Sequence, residues 1–167
     1  MKRFGLTGWS GSGKTTLLVG MIPELVARGI RVSTVKHAHK GFDIDQPGKD
    51  SYRHREAGAT EVLVGSPRRW ALLHEIRDDE PEWTLDDLLP RLTPVDLVII
   101  EGFKREPHPK IEVWRAGTGK PLIADGDDSV VAVASDGPVP SSPVPVLDLN
   151  DIPAIATFIL KKSGLGA

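Results

Sequence analysis

Gly8-Trp9-Ser10-Gly11-Ser12-Gly13-Lys14-Thr15-Thr16 stands between a short apolar run, Phe4 to Thr7, and a stretch with helical periodicity, Thr16 to Arg28. These nine residues fit Gly-x-x-x-x-Gly-Lys-[Ser/Thr], a pattern in which each residue type has a physical task. The glycines let successive backbone N–H groups curl around a polyphosphate, Lys14 adds a point charge near the β and γ phosphates, and the Thr15 hydroxyl can ligate Mg²⁺. The flanks supply the required setting. Phe4 to Thr7 reads as a strand, and Leu17, Leu18, Met21, Leu25 and Val26 recur at helical spacing, so the loop opens a helix whose N-terminus faces the phosphates. The stretch implies binding of a nucleoside triphosphate; without such flanks it would be a Gly/Ser turn with an exposed lysine.

Working outward, Gly29 stops the helix and Val32-Ser33-Thr34-Val35, within Arg31 to Lys36, gives a β-branched strand. This strand-helix-strand unit predicts a parallel sheet. Ala38 to Lys49 is then a loop at the carboxyl edge of that strand, and Asp50 or Ser51 is expected to cap a short helix ending at Gly58. Thr60 to Val64 and Trp70 to His74 read as strands separated by Gly65-Ser66-Pro67-Arg68-Arg69, a hairpin or a neighbouring pair. Asp78-Asp79-Glu80-Pro81-Glu82 is a solvated acidic connection, and Thr84 with Asp86 and Asp87 caps a helix burying Leu85, Leu88, Leu89 and Leu92 and ended by Pro94. Val95 to Ile100 is the most apolar stretch and predicts a central buried strand. Further strands are expected at Ile111 to Trp114 and Val130 to Ala134, then a Pro-rich connection from Gly137 to Pro145 and a last helix from Asp151 to about Lys161. The fold class that follows is α/β: a P-loop NTPase with a mostly parallel central sheet flanked by helices and a hairpin extension around residues 60–75. Residues 1–162 are expected to form one nucleotide-binding domain, with 163–167 a frayed tail.

The bulk numbers agree. A chain of 167 residues, 40% hydrophobic and 26% charged, suits one globular domain with a sizeable core. Its net charge of -2 gives no overall attraction to nucleic acid. Basic residues do concentrate in the first half, at Lys36, His37, His39, Lys40, Lys49, Arg53, Arg55, Arg68 and Arg69, which leaves room for a local anionic partner. The absence of cysteine excludes disulfides, thiolate nucleophiles and Cys-ligated zinc. No apolar run approaches the roughly 20 residues of a membrane span, and no signal-peptide region precedes the first strand, so a cytoplasmic protein without membrane contact is expected.

In an open parallel sheet, ligands bind beyond the carboxyl ends of the strands. Asp96 and Glu101 are five residues apart on one strand, about 16 Å at a 3.3 Å rise, so both cannot serve one metal near Thr15. Glu101 is at the correct end and is the acid expected to contact Mg²⁺ or its waters; Asp96 is left as a capping residue at the far edge. Lys14 and Glu101 are thus the candidate catalytic groups. Asp43 and Asp45, after the second strand, can each complete the metal shell. Lys49, Arg53 and Arg55 are candidates to neutralise phosphate charge, or form a solvated helix face. His37 and His39 project to one side of an extended chain, but two imidazoles alone do not make a transition-metal site.

Taken together, Gly8 to Thr16, Lys36-His37-Ala38-His39 leading into Phe42-Asp43-Ile44-Asp45 and Pro47-Gly48-Lys49-Asp50-Ser51, and Glu101-Gly102-Phe103-Lys104 resemble the molybdopterin-guanine dinucleotide biosynthesis protein B family. The resemblance runs from the first strand to about Asp136, and the His-to-Ser segment is its specific part. It implies a GTP-binding, homodimeric P-loop protein that assists the guanylyltransferase joining GMP to molybdopterin, with molybdopterin or a molybdoenzyme as further partners. It also implies phosphate contacts by Gly11, Ser12, Gly13, Lys14, Thr15 and Thr16, with Asp45 and Glu101 near the metal. The Asn-Lys-x-Asp guanine signature of common GTPases is absent. Asp136, ending the Val130 to Ala134 strand, is the candidate in its place, since a carboxylate can accept from the N1 and N2 protons of guanine; it also suits a turn before Gly137.

An Asp-x-x-Gly run followed by a water-orienting glutamine is also absent, so hydrolysis of GTP is expected to be slow. Three other readings stay open from the residues alone. A small-molecule kinase would use Arg53, Arg55, Arg68 and Arg69 at an acceptor site; a metal-delivery GTPase would use His37 and His39; a pure nucleotide-switch adaptor would bind without turnover.

Overall fold

The computed structural model describes residues 1–38, 41–77, 80–104 and 106–166. His39, Lys40, Asp78 and Asp79, singled out above, lie outside the described residues. Contacts divide the chain into two compact units, Met1–His37 with Arg91–Ala167, and Ala38–Pro90.

The first unit is built on β1 (Lys2–Thr7), β2 (Val32–Lys36), β5 (Leu97–Glu101), β6 (Lys110–Trp114), β7 (Val130–Ser135) and β8 (Val146–Asp148), with α1 (Lys14–Ala27) and α4 (Ile152–Ser163). The strands form one sheet in the order β2-β5-β1-β6-β7-β8. Every pairing in it is parallel. The chain leaves β1 toward β2 on one side and later fills β6, β7 and β8 on the other. β1 is therefore the switch point at which a doubly wound sheet opens a crevice beyond its carboxyl ends.

Strand alternation decides which side chains make the main core. Phe4 and Leu6 of β1, Leu97 and Ile99 of β5, Ile111 and Val113 of β6, and Ala132 and Ala134 of β7 join Leu17, Met21 and Leu25 of α1 and Ile155, Ala156 and Ile159 of α4 in one buried cluster. Each fully buried large aliphatic side chain there contributes about 1.5–3 kcal/mol relative to leaving it in water. The other row of β6 is polar, yet Lys110 and Glu112 are buried. Glu112 accepts backbone N–H bonds from Ile123 and Ala124 at 2.9 Å, which ties down the connection before β7, and burial pushes its carboxyl pKa up. The Lys110 ammonium donates to the Glu106 carbonyl at 2.5 Å and to the Ser129 hydroxyl, so this buried cation is satisfied locally.

The second unit holds α2 (Asp50–Glu56), the antiparallel hairpin β3 (Glu61–Ser66) and β4 (Arg69–His74), and α3 (Leu85–Leu88) continued by a 3₁₀ turn at Leu89–Arg91. Arg55 organises it, donating to Asp43 at 2.7 Å and Glu75 at 2.9 Å while its Nε lies 3.8 Å from Asp45. One face of the hairpin pairs Leu63 with Leu72 and Gly65 with Trp70, and its large side chains are exposed.

Several boundaries differ from the sequence reading. Lys49, not Asp50 or Ser51, occupies the cap position of α2, and no side chain caps it; the Ser51 hydroxyl donates instead to Asp45 at 2.8 Å. Thr84 and Asp87 form the expected reciprocal cap, but α3 stops at Leu88. Pro90 has no N–H to continue the ladder, so the chain tightens to a 3₁₀ turn. β5 starts at Leu97 rather than Val95, because Asp96 is drawn into bonds with Arg31. The three-residue β8 went unread between the Pro-rich connection and the last helix, because a strand so short carries no periodic signal. α4 extends to Ser163 and closes on Gly164 with left-handed backbone.

Candidate functional site

The loop after β1 turns on glycines that no other residue can replace without strain. Gly8 has φ 144°, and a Cβ there would lie 2.4 Å from the Val113 carbonyl and 2.7 Å from the Ser12 hydroxyl. Gly13 caps α1 with left-handed backbone and its carbonyl accepts the first helical bond, from Leu17, at 2.9 Å. The Lys14 ammonium donates to the carbonyls of Gly8 and Trp9, both at 2.9 Å. Two of its three protons thus hold it across the loop and the third remains for an anion. Burial lowers its pKa; Glu101 opposes that shift, while Lys104 and Lys36 add to it. Thr15 and Thr16 are exposed at the start of α1, whereas Ser12 is buried, its hydroxyl without a hydrogen-bond partner.

Glu101 ends β5 at the same edge. It is the register partner of Leu6 on β1 and of Lys36 on β2, and the Lys36 ammonium lies 3.9 Å from its carboxylate. Its side chain is 13% exposed, enough for a ligand to reach it. Directly after it, Gly102 has φ 98° and a Cβ there would meet the His37 Cβ at 2.7 Å; Phe103, at φ 46°, stacks on the His37 ring with centroids 4.6 Å apart. Asp96 sits at the opposite end of the strand, where its carboxylate takes a bidentate pair from Arg31 at 2.9 and 3.1 Å. That pairing holds its pKa down at about 2. The five-residue separation of the two acids thus places them at opposite sheet edges, as their spacing predicts.

Arg115, just past β6, donates from Nε to the Ser12 carbonyl at 3.0 Å and from Nη1 to the Asp136 carboxylate. Arg115 went unread in the sequence; the signal that could have found it is the one used for Glu101, a charged residue at the carboxyl end of a central strand. Asp136 is linked to the phosphate loop through this guanidinium. Trp9 lies over the same edge, its indole N–H donating to the Pro121 carbonyl at 2.8 Å, with the Lys104 and Lys120 ammonium groups 5.4 and 5.7 Å from its ring centre.

Asp45 belongs to the second unit, where Oδ1 accepts from the Ser51 hydroxyl at 2.8 Å and from the Gln46 N–H at 3.0 Å. Arg55 of that unit is engaged by three carboxylates rather than left for phosphate. Among the described residues no group of three or more His, Asp or Glu side chains is placed to hold a metal ion. The Thr15 hydroxyl at the start of α1 and the Glu101 carboxylate at the end of β5 are oxygen donors of the kind that suits Mg²⁺, which keeps several waters and takes one or two protein oxygens together with phosphates.

A model of the family described as molybdopterin guanine dinucleotide synthesis protein B matches residues 4–136. The chain belongs to that family. The match begins in β1 and ends at Asp136, enclosing the phosphate loop, Glu101 and Arg115. Relatives extend this MobB likeness over most of the chain. The molybdopterin-guanine dinucleotide biosynthesis adapter protein of Escherichia coli K12 is 47% identical over 156 residues, covering 92% of this chain and 88% of its own. The adapter protein of Haemophilus influenzae is 48% identical over 157 residues, covering 93% of this chain and 85% of its own. A crystal structure of molybdopterin-guanine biosynthesis protein B superposes with a TM-score of 0.74 at 31% identity, covering 95% of this chain and 97% of that one. Among the described residues no helix of this MobB-family chain is long and apolar enough to cross a membrane.

Proposed function

We infer that this chain is an adapter in molybdopterin-guanine dinucleotide synthesis, which binds GTP with Mg²⁺ on the Gly8–Thr16 loop and assists the guanylyltransferase that attaches GMP to molybdopterin. The observation that carries the nucleotide reading is the meeting of Lys14 and Glu101 at the carboxyl ends of β1 and β5, the switch point of the sheet. Backbone N–H groups of Gly11 to Thr16 would receive the phosphates, Lys14 would neutralise them, and Thr15 and Glu101 would hold the metal or its waters. Mg²⁺ supplies charge neutralisation between the β and γ phosphates when bound. Asp45 is the further metal-side acid that family resemblance implies.

The sequence has no Asp-x-x-Gly run followed by a water-orienting glutamine, so turnover would be slow and the nucleotide would serve recognition more than chemistry. The relatives' name, adapter protein, agrees with that division of labour. The exposed Leu63, Trp70 and Leu72 on the hairpin supply an apolar surface suited to a homodimer, in keeping with the family. A kinase reading loses ground because Arg55, one of its acceptor-site cations, is already engaged by Asp43, Glu75 and Asp45.

The test is guanylyltransferase-catalysed dinucleotide formation from molybdopterin and Mg-GTP, with and without this chain. Stimulation by the wild-type chain and its loss with Lys14→Ala supports the reading; no stimulation at any ratio of the two proteins removes it.

A further inference from the structure

A cleft of about 190 Å³ opens beside the phosphate loop, lined by Gly13, Thr16, Leu17, Arg115, Leu149, Asn150 and Ile152. We propose that this cleft receives the purine nucleoside of the bound triphosphate and that Asn150 contacts the base edge. The inference rests on the nucleotide reading above and adds to it the position and polar partner of the nucleoside.

The direction of the ligand follows from the sheet. Glu101 and Lys36 lie on the β5 and β2 side of β1. A magnesium ion would be held on that side by Glu101, the metal-side acid of the proposed site, so the γ end of the triphosphate would lie toward β5. The α phosphate and the nucleoside then leave on the opposite side of β1, toward β6, β7 and β8. The cleft is on that side: Arg115 follows β6, and Leu149 and Asn150 follow β8. It is also continuous with the phosphate site, because Gly13 and Thr16 belong to both.

The lining suits a heterocycle. Leu17, Leu149 and Ile152 supply apolar walls, and the Arg115 guanidinium is a planar cation able to lie on an aromatic face. Bonds to the Ser12 carbonyl and to Asp136 fix that guanidinium in place before a ligand arrives. The volume falls below the roughly 300–1,000 Å³ of pockets for drug-sized ligands, which fits one base with part of its sugar rather than a dinucleotide.

Asn150 is oriented by Asp148, whose Oδ1 accepts from the Asn150 backbone N–H at 2.8 Å and from its Nδ2 at 3.2 Å. A carboxylate only accepts, so the amide nitrogen must face Asp148 and the amide oxygen points away from it. That oxygen and the second amide proton are left to pair with a base edge. Asp136 is not among the lining residues; its carboxylate serves the cleft through Arg115.

Calorimetric titration of the full chain with Mg²⁺ and either GTP or inorganic tripolyphosphate tests this. Asn150→Ala should weaken GTP about tenfold, the loss of roughly one good hydrogen bond, and the exposed Asn150→Trp should fill the cleft and erase the advantage of GTP over tripolyphosphate. Neither variant should change tripolyphosphate affinity more than about twofold. Unchanged GTP binding by Asn150→Ala overturns the role of Asn150, and unchanged binding by Asn150→Trp overturns the cleft. Failure of the wild-type chain to bind either compound instead removes the nucleotide reading itself, and the cleft with it.

Discussion

Arg115 donates to the carboxylate of Asp136 across the carboxyl ends of β6 and β7, and the same guanidinium holds the Ser12 carbonyl of the phosphate loop. The phosphate loop and the end of β7 are thereby joined by one side chain. The two partners are 38% and 36% exposed, so the pair itself contributes up to about 1 kcal/mol. In a double-mutant cycle read by GTP affinity, Asp136→Ala should weaken binding in the wild-type background and add little once Arg115→Ala is present. Additive losses would mean that Asp136 touches the base on its own account.

Glu101→Gln keeps the shape of the β5 edge and removes its charge. Mg²⁺-dependent enhancement of GTP affinity should fall at least several-fold, while binding measured in chelator stays the same. A variant with undiminished metal dependence would take Glu101 out of the metal's surroundings.

How far the sequence led depends on the kind of signal each residue gave. Lys14, Thr15 and Glu101 were legible because one motif and one strand-end rule specify them, and the register of Leu6 with Glu101 places them at a shared edge. Asp96 was correctly separated from them by spacing alone. Arg115 offered only its place at the carboxyl end of β6; that its guanidinium folds back to the Ser12 carbonyl was not legible, because that contact spans more than a hundred positions. β8 and the cleft beside it were hidden for a related reason, since a three-residue strand after Pro145 takes its identity from β7 rather than from its own pattern. The boundary of α3 was missed because the apolar spacing of Leu88, Leu89 and Leu92 carried the helix on to Pro94, past Pro90, which has no N–H for the ladder.

Two histidines give the units opposite pH dependence. His108, buried among Lys110, Arg3 and Asp127, has its pKa lowered to about 4, chiefly by burial. The unfolded chain therefore binds the extra proton first, and the stability that His108 contributes is present above about 6.5 and lost as pH falls toward 4. His74 is bonded to Glu61 at 2.9 Å and Glu80 at 2.8 Å, which raise its pKa. Its contribution is present below about 6.5 and lost as pH rises through the higher folded value. Amide exchange followed by mass spectrometry should show protection of β6 falling on acidification and protection of the β3–β4 hairpin falling as pH is raised; parallel trends in both would contradict the assignment.

Gly102→Ala would place a methyl group 2.7 Å from the His37 Cβ at a backbone φ of 98°. Left-handed backbone costs about 1–2 kcal/mol for a non-glycine residue, and the overlap adds to it, so a loss of about 2–3 kcal/mol is expected. That corresponds to a fall in Tm of roughly 4–12 °C for a chain of this size. A shift under a degree would show that the turn after Glu101 relaxes freely.

The most direct test of the account is competition between GTP and ATP for the purified wild-type chain in the presence of Mg²⁺, repeated with Lys14→Ala. The account predicts Mg²⁺-dependent binding with a clear preference for GTP, lost for both nucleotides in the variant. Equal affinity for ATP and GTP, or a preference for ATP, would contradict the guanine-specific adapter role and shift the chain toward a phosphotransferase.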